Sequence, residues 1–111
     1  VLAQNYLTMH TDPALVELEI DLGWIMKAGV DPLTYWQVQA ERTPQIHLRD
    51  YSVEEGQITD IGAGFIDLAA VAEQGREFSL DWLIYEQDRY PVSAFDSCRL
   101  CADRARAAGI I

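Results

Sequence analysis

Three ionisable side chains recur at a comparable place in three separate β-like segments. Asp21 closes Val16-Glu17-Leu18-Glu19-Ile20-Asp21, His47 lies near the end of Gln45-Ile46-His47-Leu48-Arg49-Asp50, and Glu86 closes Trp82-Leu83-Ile84-Tyr85-Glu86. Two carboxylates and an imidazole form a donor set suited to a hard-to-borderline divalent cation such as Mn²⁺, Mg²⁺, Co²⁺ or Zn²⁺. Taken singly, each has a plainer reading. A lone acid at a strand end caps a loop or faces solvent, and a histidine between Ile46 and Leu48 can be a satisfied interior residue. Their joint placement favours a shared role, because ligand sites in parallel α/β folds lie at the C-terminal ends of the strands. Asp50 and Asp88 stand just beyond the second and third segments. Glu17 and Glu19 share the face of Asp21, which in a packed interior requires ligand contact or ion pairing and otherwise implies an exposed sheet.

The elements that must position these groups follow from periodicity. Residues 16–21 alternate apolar and acidic, the period-2 pattern of a strand with two unlike faces. Asp31-Pro32 supplies an N-cap and an N1 proline, and Leu33, Trp36 and Ala40 recur at helical spacing up to Glu41. Residues 45–50 form the second strand, and the glycine-bearing stretch Tyr51 to Phe65 is expected to be a long loop. Asp67 caps a short helix through Leu68, Val71 and Ala72; residues 82–86 form the third strand; and Ser93 opens a helix through Phe95, Cys98, Ala102 and Ala105 that Gly109 closes. Asn5 to Pro13 is expected to be the end of a preceding helix and its connection.

This βαβαβα order implies parallel pairing, in an open doubly wound sheet or in a (β/α)₈ barrel. A whole barrel takes about 250 residues. The barrel alternative therefore makes residues 1–111 a single partial domain of about three βα units.

The 50% apolar and 23% charged residues describe a globular chain, away from the composition of disorder. A formal charge of −10 repels nucleic acid and anionic lipid, so neither is expected as a partner. No apolar run has the length of a membrane span and no signal-peptide pattern opens the chain, so a cytoplasmic location is expected. Cys98 and Cys101 lack the further ligands of a zinc site and are expected to be ordinary thiols, with a redox pair as the rival reading.

Four motifs carry a resemblance. Glu19-Ile20-Asp21-Leu22-Gly23-Trp24 with Ala28-Gly29-Val30-Asp31-Pro32 resembles the "lDtgW…aG.dp" pattern of sugar phosphate isomerases/epimerases, the xylose isomerase-like TIM barrels. His47-Leu48-Arg49-Asp50 resembles "HlKD", Ile61-Gly62-Ala63-Gly64-Phe65-Ile66-Asp67 resembles "vGeGviD", and Tyr85-Glu86-Gln87-Asp88 resembles "vEqD". In order and spacing they cover nearly all of residues 16 to 109, as the C-terminal part of such a barrel. Arg49 stands where lysine is common, and Ala63 where glutamate is common.

The resemblance implies that Asp21, His47 and Glu86 match three of four ligands of a divalent metal ion, the fourth being a glutamate on an earlier strand. It implies proton transfer beside a carbonyl through an enediolate, with Glu86 as one member of the acid/base pair, and a sugar or sugar phosphate as substrate. Trp24 would wall the sugar pocket, with core packing as its plainer role. Arg49 would hold a substrate hydroxyl or phosphate and Asp50 would position it, against the alternative of a surface ion pair. Relatives of this barrel imply two other enzyme activities: keto-inositol dehydration and endonuclease action on damaged DNA. The acidic balance opposes the second. A non-catalytic binding or assembly module is the reading from another class. A partial barrel has open edges, so self-association or pairing with the remainder of the barrel is expected.

Overall fold

The computed structural model describes residues 3–111. In chain order the elements are α1 (Ala3–His10), β1 (Glu19–Asp21), α2 (Leu22–Lys27), α3 (Pro32–Gln39) running into a 3₁₀ turn (Ala40–Arg42), β2 (Gln45–Leu48), β3 (Asp50–Ser52), β4 (Gln57–Thr59), α4 (Leu68–Glu77), β5 (Trp82–Tyr85) and α5 (Ala94–Ala107). β1, β2 and β5 pair in parallel in that spatial order. The mixed α/β layout with parallel strands is that of part of a TIM barrel.

Alternation divides the sheet into two faces. Ile20, Ile46 and Leu48 are buried beneath the helices, in one core with Leu22, Trp36, Val71, Cys101 and Ala105. Fully buried Trp36 meets Phe78 edge-on, with ring centroids 5.6 Å apart. The opposite face carries Glu19, Asp21, Gln45, His47, Trp82 and Ile84, with Trp82 and Ile84 exposed. The same pairing register puts Asp21 opposite His47 and Leu48 opposite Tyr85, so the three strand ends finish at one level.

The structure departs from the sequence expectation in five places, one of them the second strand, which ends at Leu48 rather than Asp50 because Asp50 opens β3. The first strand begins at Glu19 rather than Val16, because β2 offers no partner further back. Arg42 serves residues 16–18 instead: its Nη2 donates to the Val16 carbonyl at 2.7 Å, and its carbonyl accepts from the Leu18 amide at 2.6 Å. Directly after β1, Asp21 caps the unexpected short helix α2 by accepting from the Trp24 amide at 3.0 Å. The expected loop 51–65 contains the antiparallel hairpin β3–β4, with Gly56 at φ +66° completing its turn. α4 runs on to Glu77, further than its Leu68-Val71-Ala72 stripe implies.

Asp50 organises the loop that follows the hairpin. Fully buried, its carboxylate accepts from the amides of Tyr51, Gly62, Gly64, Phe65 and Ile66 at 2.7–3.1 Å. Those donors would otherwise be orphaned. The wrap is so close that a Cβ on Gly64 would lie 2.6 Å from the Tyr51 carbonyl oxygen and 2.7 Å from Asp50 Cγ. Among the described residues, no helix is long and apolar enough to cross a membrane.

Two glycine substitutions should move stability in opposite directions. Gly64→Ala forces the loop off Asp50 and should lower the unfolding free energy by about 1–3 kcal/mol. At Gly75, inside α4, an added Cβ would meet Trp36 at an ordinary 3.7 Å. Gly75→Ala should therefore raise stability by about 0.5–1 kcal/mol. Urea midpoints of the two variants against the parent check both signs.

Candidate functional site

Each of the three strand ends delivers its side chain for a local reason. Asp21 is fixed by its second duty: Oδ1 caps α2, which leaves Oδ2 turned to the open face of the sheet. His47 projects from β2 onto that face. Glu86, one residue past β5, donates its amide to the Leu48 carbonyl at 3.4 Å. Ligating atoms of Asp21, His47 and Glu86 lie within 4.8 Å of one another, and among the described residues this is the one cluster of its kind.

His47 has both ring nitrogens engaged. Nδ1 lies 2.5 Å from Glu86 Oε2 and 3.6 Å from Asp21 Oδ2, and Nε2 lies 2.9 Å from Glu19 Oε1. An imidazole nitrogen and two carboxylate oxygens thus point at one place, and with a cation bound there Nε2–H would stay on Glu19 while Nδ1 gave its lone pair to the ion. That donor set fits a divalent cation. Gln45 holds Glu19 in turn by a hydrogen bond from Nε2.

Arg49 carries the opposing charge. Its side chain is 2% exposed; Nε sits 2.8 Å from Asp21 Oδ2, Nη2 2.8 Å from Glu86 Oε2, and Nη1 on Asp88. Burial alone would lower the guanidinium's pKa, but the bond to Glu86 and the charges of Asp21 and Asp88 outweigh it and hold the group above its ordinary value. The hydrogen bond from Arg49 in turn holds the Glu86 carboxyl below its ordinary 4.5 against partial desolvation, helped by the charges of Arg49 and His47. Arg49 reaches this place across Gly23, where an added Cβ would lie 2.8 Å from Arg49 Cγ.

Trp24 is 44% exposed, with the Arg49 guanidinium 5.3 Å and Lys27 Nζ 4.6 Å from its ring. Alongside Glu19, Asp21, Val30 and Tyr35 it lines a cleft of about 310 Å³ at the free edge of β1. It is a wall beside the cluster, not a core residue.

Asp50 is the expected site residue that the structure does not bring to the cluster. Its carboxylate is spent on five loop amides, so it shapes the loop. Of the two roles expected for Glu19, ligand contact or ion pairing, the structure shows pairing with His47, while Gln87 and Asp60, both buried, had no role assigned from sequence. The period-2 pattern places Glu19 beside His47, whereas no local signal marks Asp60. Cys98 is exposed and Cys101 buried, both as free thiols, and burial raises the Cys101 pKa.

No protein-family model matches the chain. It is 30% identical over 106 residues to inosose dehydratase of Lacticaseibacillus casei, covering 79% of this chain and 36% of the relative. The enzyme of strain BL23 matches equally, with 35% of its length covered. In structure the chain is similar to a sugar phosphate isomerase/epimerase of Parabacteroides distasonis ATCC 8503, with TM-score 0.75, 22% identity and coverage of 91% of this chain and 34% of that one. A second sugar phosphate isomerase/epimerase structure from the same organism gives TM-score 0.73 and 19% identity over 95% of this chain and 36% of that one. The structural neighbours are thus of the kind the four motifs resemble, and the fold is part of their barrel. The chain spans about a third of the length of each.

The cluster has a pH signature. Glu86 gives up its proton more readily in the folded protein than in the unfolded chain, so it favours folding above about pH 4.5 and that contribution is lost as pH falls through the lower folded value. In Arg49→Met the Glu86 titration, followed by carboxyl-carbon NMR, should move upward, because the hydrogen bond and charge that hold it down are gone. An unmoved titration would show that Arg49 does not hold this carboxylate.

Proposed function

We propose that the protein is a metal-dependent sugar or sugar-phosphate isomerase or epimerase, and that this chain carries part of its site. The observation that supports this is the convergence of Asp21, His47 and Glu86 from three successive parallel strand ends. Asp21, Glu86 and His47 Nδ1 would hold a divalent cation, with Glu19 fixing the ring of His47 from behind. Bound there, a cation supplies Lewis-acid polarisation of a substrate carbonyl.

Glu86 is the proton acceptor in this reading. Arg49 keeps it ionised, so it stands ready to take a proton from the carbon beside the carbonyl and leave an enediolate. Returning the proton to the neighbouring carbon gives isomerisation; returning it to the opposite face of the same carbon gives epimerisation. The epimerase alternative needs a second carboxylate, which the family resemblance puts on a strand before β1. The free edge of β1, with its adjoining cleft, has room for such a strand, from the rest of the barrel or a second copy. The exposed ring of Trp24 offers an apolar face to a sugar at the same opening.

The 30% identity to inosose dehydratases favours one second reading, in which the substrate is a keto-inositol. The same proton removal is then followed by departure of hydroxide from the next carbon, which takes up a proton and leaves as water while the carbon–carbon double bond forms.

Incubation of the intact protein with Mn²⁺ or Co²⁺ in D₂O separates these outcomes. Deuterium should enter the carbon next to the carbonyl of a ketose or ketose phosphate, and Glu86→Gln should lower kcat by at least about 10²–10⁴-fold. Loss of water from a keto-inositol would establish the dehydratase reading. Exchange unchanged in Glu86→Gln would remove Glu86 from the chemistry.

A further inference from the structure

Glu86 lies beyond the last residue of β5, where the ladder ends in a single long hydrogen bond of 3.4 Å, and its side chain is 42% exposed. Strand pairing alone is therefore a weak restraint on it. Its neighbour Gln87 is 8% exposed and spends both ends of its amide: Oε1 accepts from the Tyr85 hydroxyl at 2.8 Å, while Nε2 donates to Asp60 Oδ1 at 2.6 Å and to the Arg89 carbonyl at 2.5 Å. The Gln87 carbonyl accepts from the Tyr90 hydroxyl at 2.8 Å, and Arg89 Nη1 donates to Gln57 Oε1 at 2.7 Å. Asp60, 4% exposed, opens the loop that Asp50 organises. Residues 87–90 are thereby fastened to the β3–β4 hairpin.

We propose that Gln87 is a positioning residue: by tying the end of β5 to Asp60, its buried amide holds Glu86 on one side and Asp88 on the other towards His47 and Arg49. In an extended segment alternate side chains face opposite ways. Glu86 and Asp88 both meet Arg49 while Gln87 points to the hairpin, so one fixed amide sets the direction of two carboxylates. The proposal rests on the reading of Glu86 as a cation ligand.

The test is Co²⁺ affinity, measured by calorimetry and by visible absorption, for the intact protein and for Gln87→Ala, Glu86→Gln and the double variant. Second-sphere partners of metal ligands typically contribute about 10–100-fold in affinity, and that loss is expected in Gln87→Ala with an altered Co²⁺ spectrum. In the Glu86→Gln background the same change should cost less than about twofold, because coupled residues are not additive. Gln87→Met, which fills the space without the hydrogen bonds, should behave like Gln87→Ala. Should both variants fail to fold, hydrogen exchange in the unmodified protein decides: the Glu86 amide, whose bond to the Leu48 carbonyl survives only if the end of β5 is held, should exchange far more slowly than the amides of residues 53 and 54 in the exposed turn. Parent-like Co²⁺ affinity in Gln87→Ala, an equal loss in the Glu86→Gln background, or exchange at the rate of the turn would overturn the proposal. Failure of the unmodified protein to bind Co²⁺ would defeat the metal reading itself, and this inference with it.

Discussion

Three carboxylates crowd one end of a three-stranded sheet, and the buried guanidinium of Arg49 makes that arrangement tolerable. Asp21 arrives from β1 and Glu86 and Asp88 from beyond β5, with Arg49 between them directly after β2. Without a cation among them, like charges at this range would drive the strand ends apart, the more so where water is partly excluded. The guanidinium suits the task through its planar fork, whose three nitrogens each address a different carboxylate. Lysine, a single point of charge, would satisfy fewer. The geometry in turn requires Gly23, because any larger residue at the start of α2 would occupy the space of the Arg49 stem.

In the proposed reading, the same arrangement would prepare the cluster for a second cation. Arg49 shares Asp21 Oδ2 and Glu86 Oε2 with His47, so these oxygens are already gathered and already partly neutralised. Metal binding, as proposed, would then adjust a preformed group of ligands. Behind it stand two layers of support: Glu19 and Gln45 on the sheet, and the loop that Asp50 gathers through five amides. The barrel fold shared with the Parabacteroides proteins puts this end of the strands where such folds bind ligands.

Much of this was legible in the sequence. Alternation gave the strands and their two faces, chain order gave parallel pairing, and the level of Asp21, His47 and Glu86 followed from both. Less was legible where the partner is backbone. Asp50 and Asp88 look alike in sequence, each just past a strand, yet Asp50 is spent on loop amides and Asp88 on Arg49. The hairpin lay hidden because its strands are three residues each and their Tyr, Ile and Thr signals are diluted by Gly56 and two glutamates. α2 was missed because Asp21 serves at once as strand end and helix cap. Asp60 and Gln87 meet across 27 residues, a separation at which no local pattern operates.

The central claim is that Asp21, His47 and Glu86 form a cation site. Its most direct test is anomalous diffraction at the manganese edge from crystals of the protein grown with Mn²⁺. The account predicts an anomalous peak in direct contact with a carboxylate oxygen of Asp21, a carboxylate oxygen of Glu86 and Nδ1 of His47. A map with no peak between these three residues at saturating Mn²⁺, or with manganese only on other surface carboxylates, would contradict it.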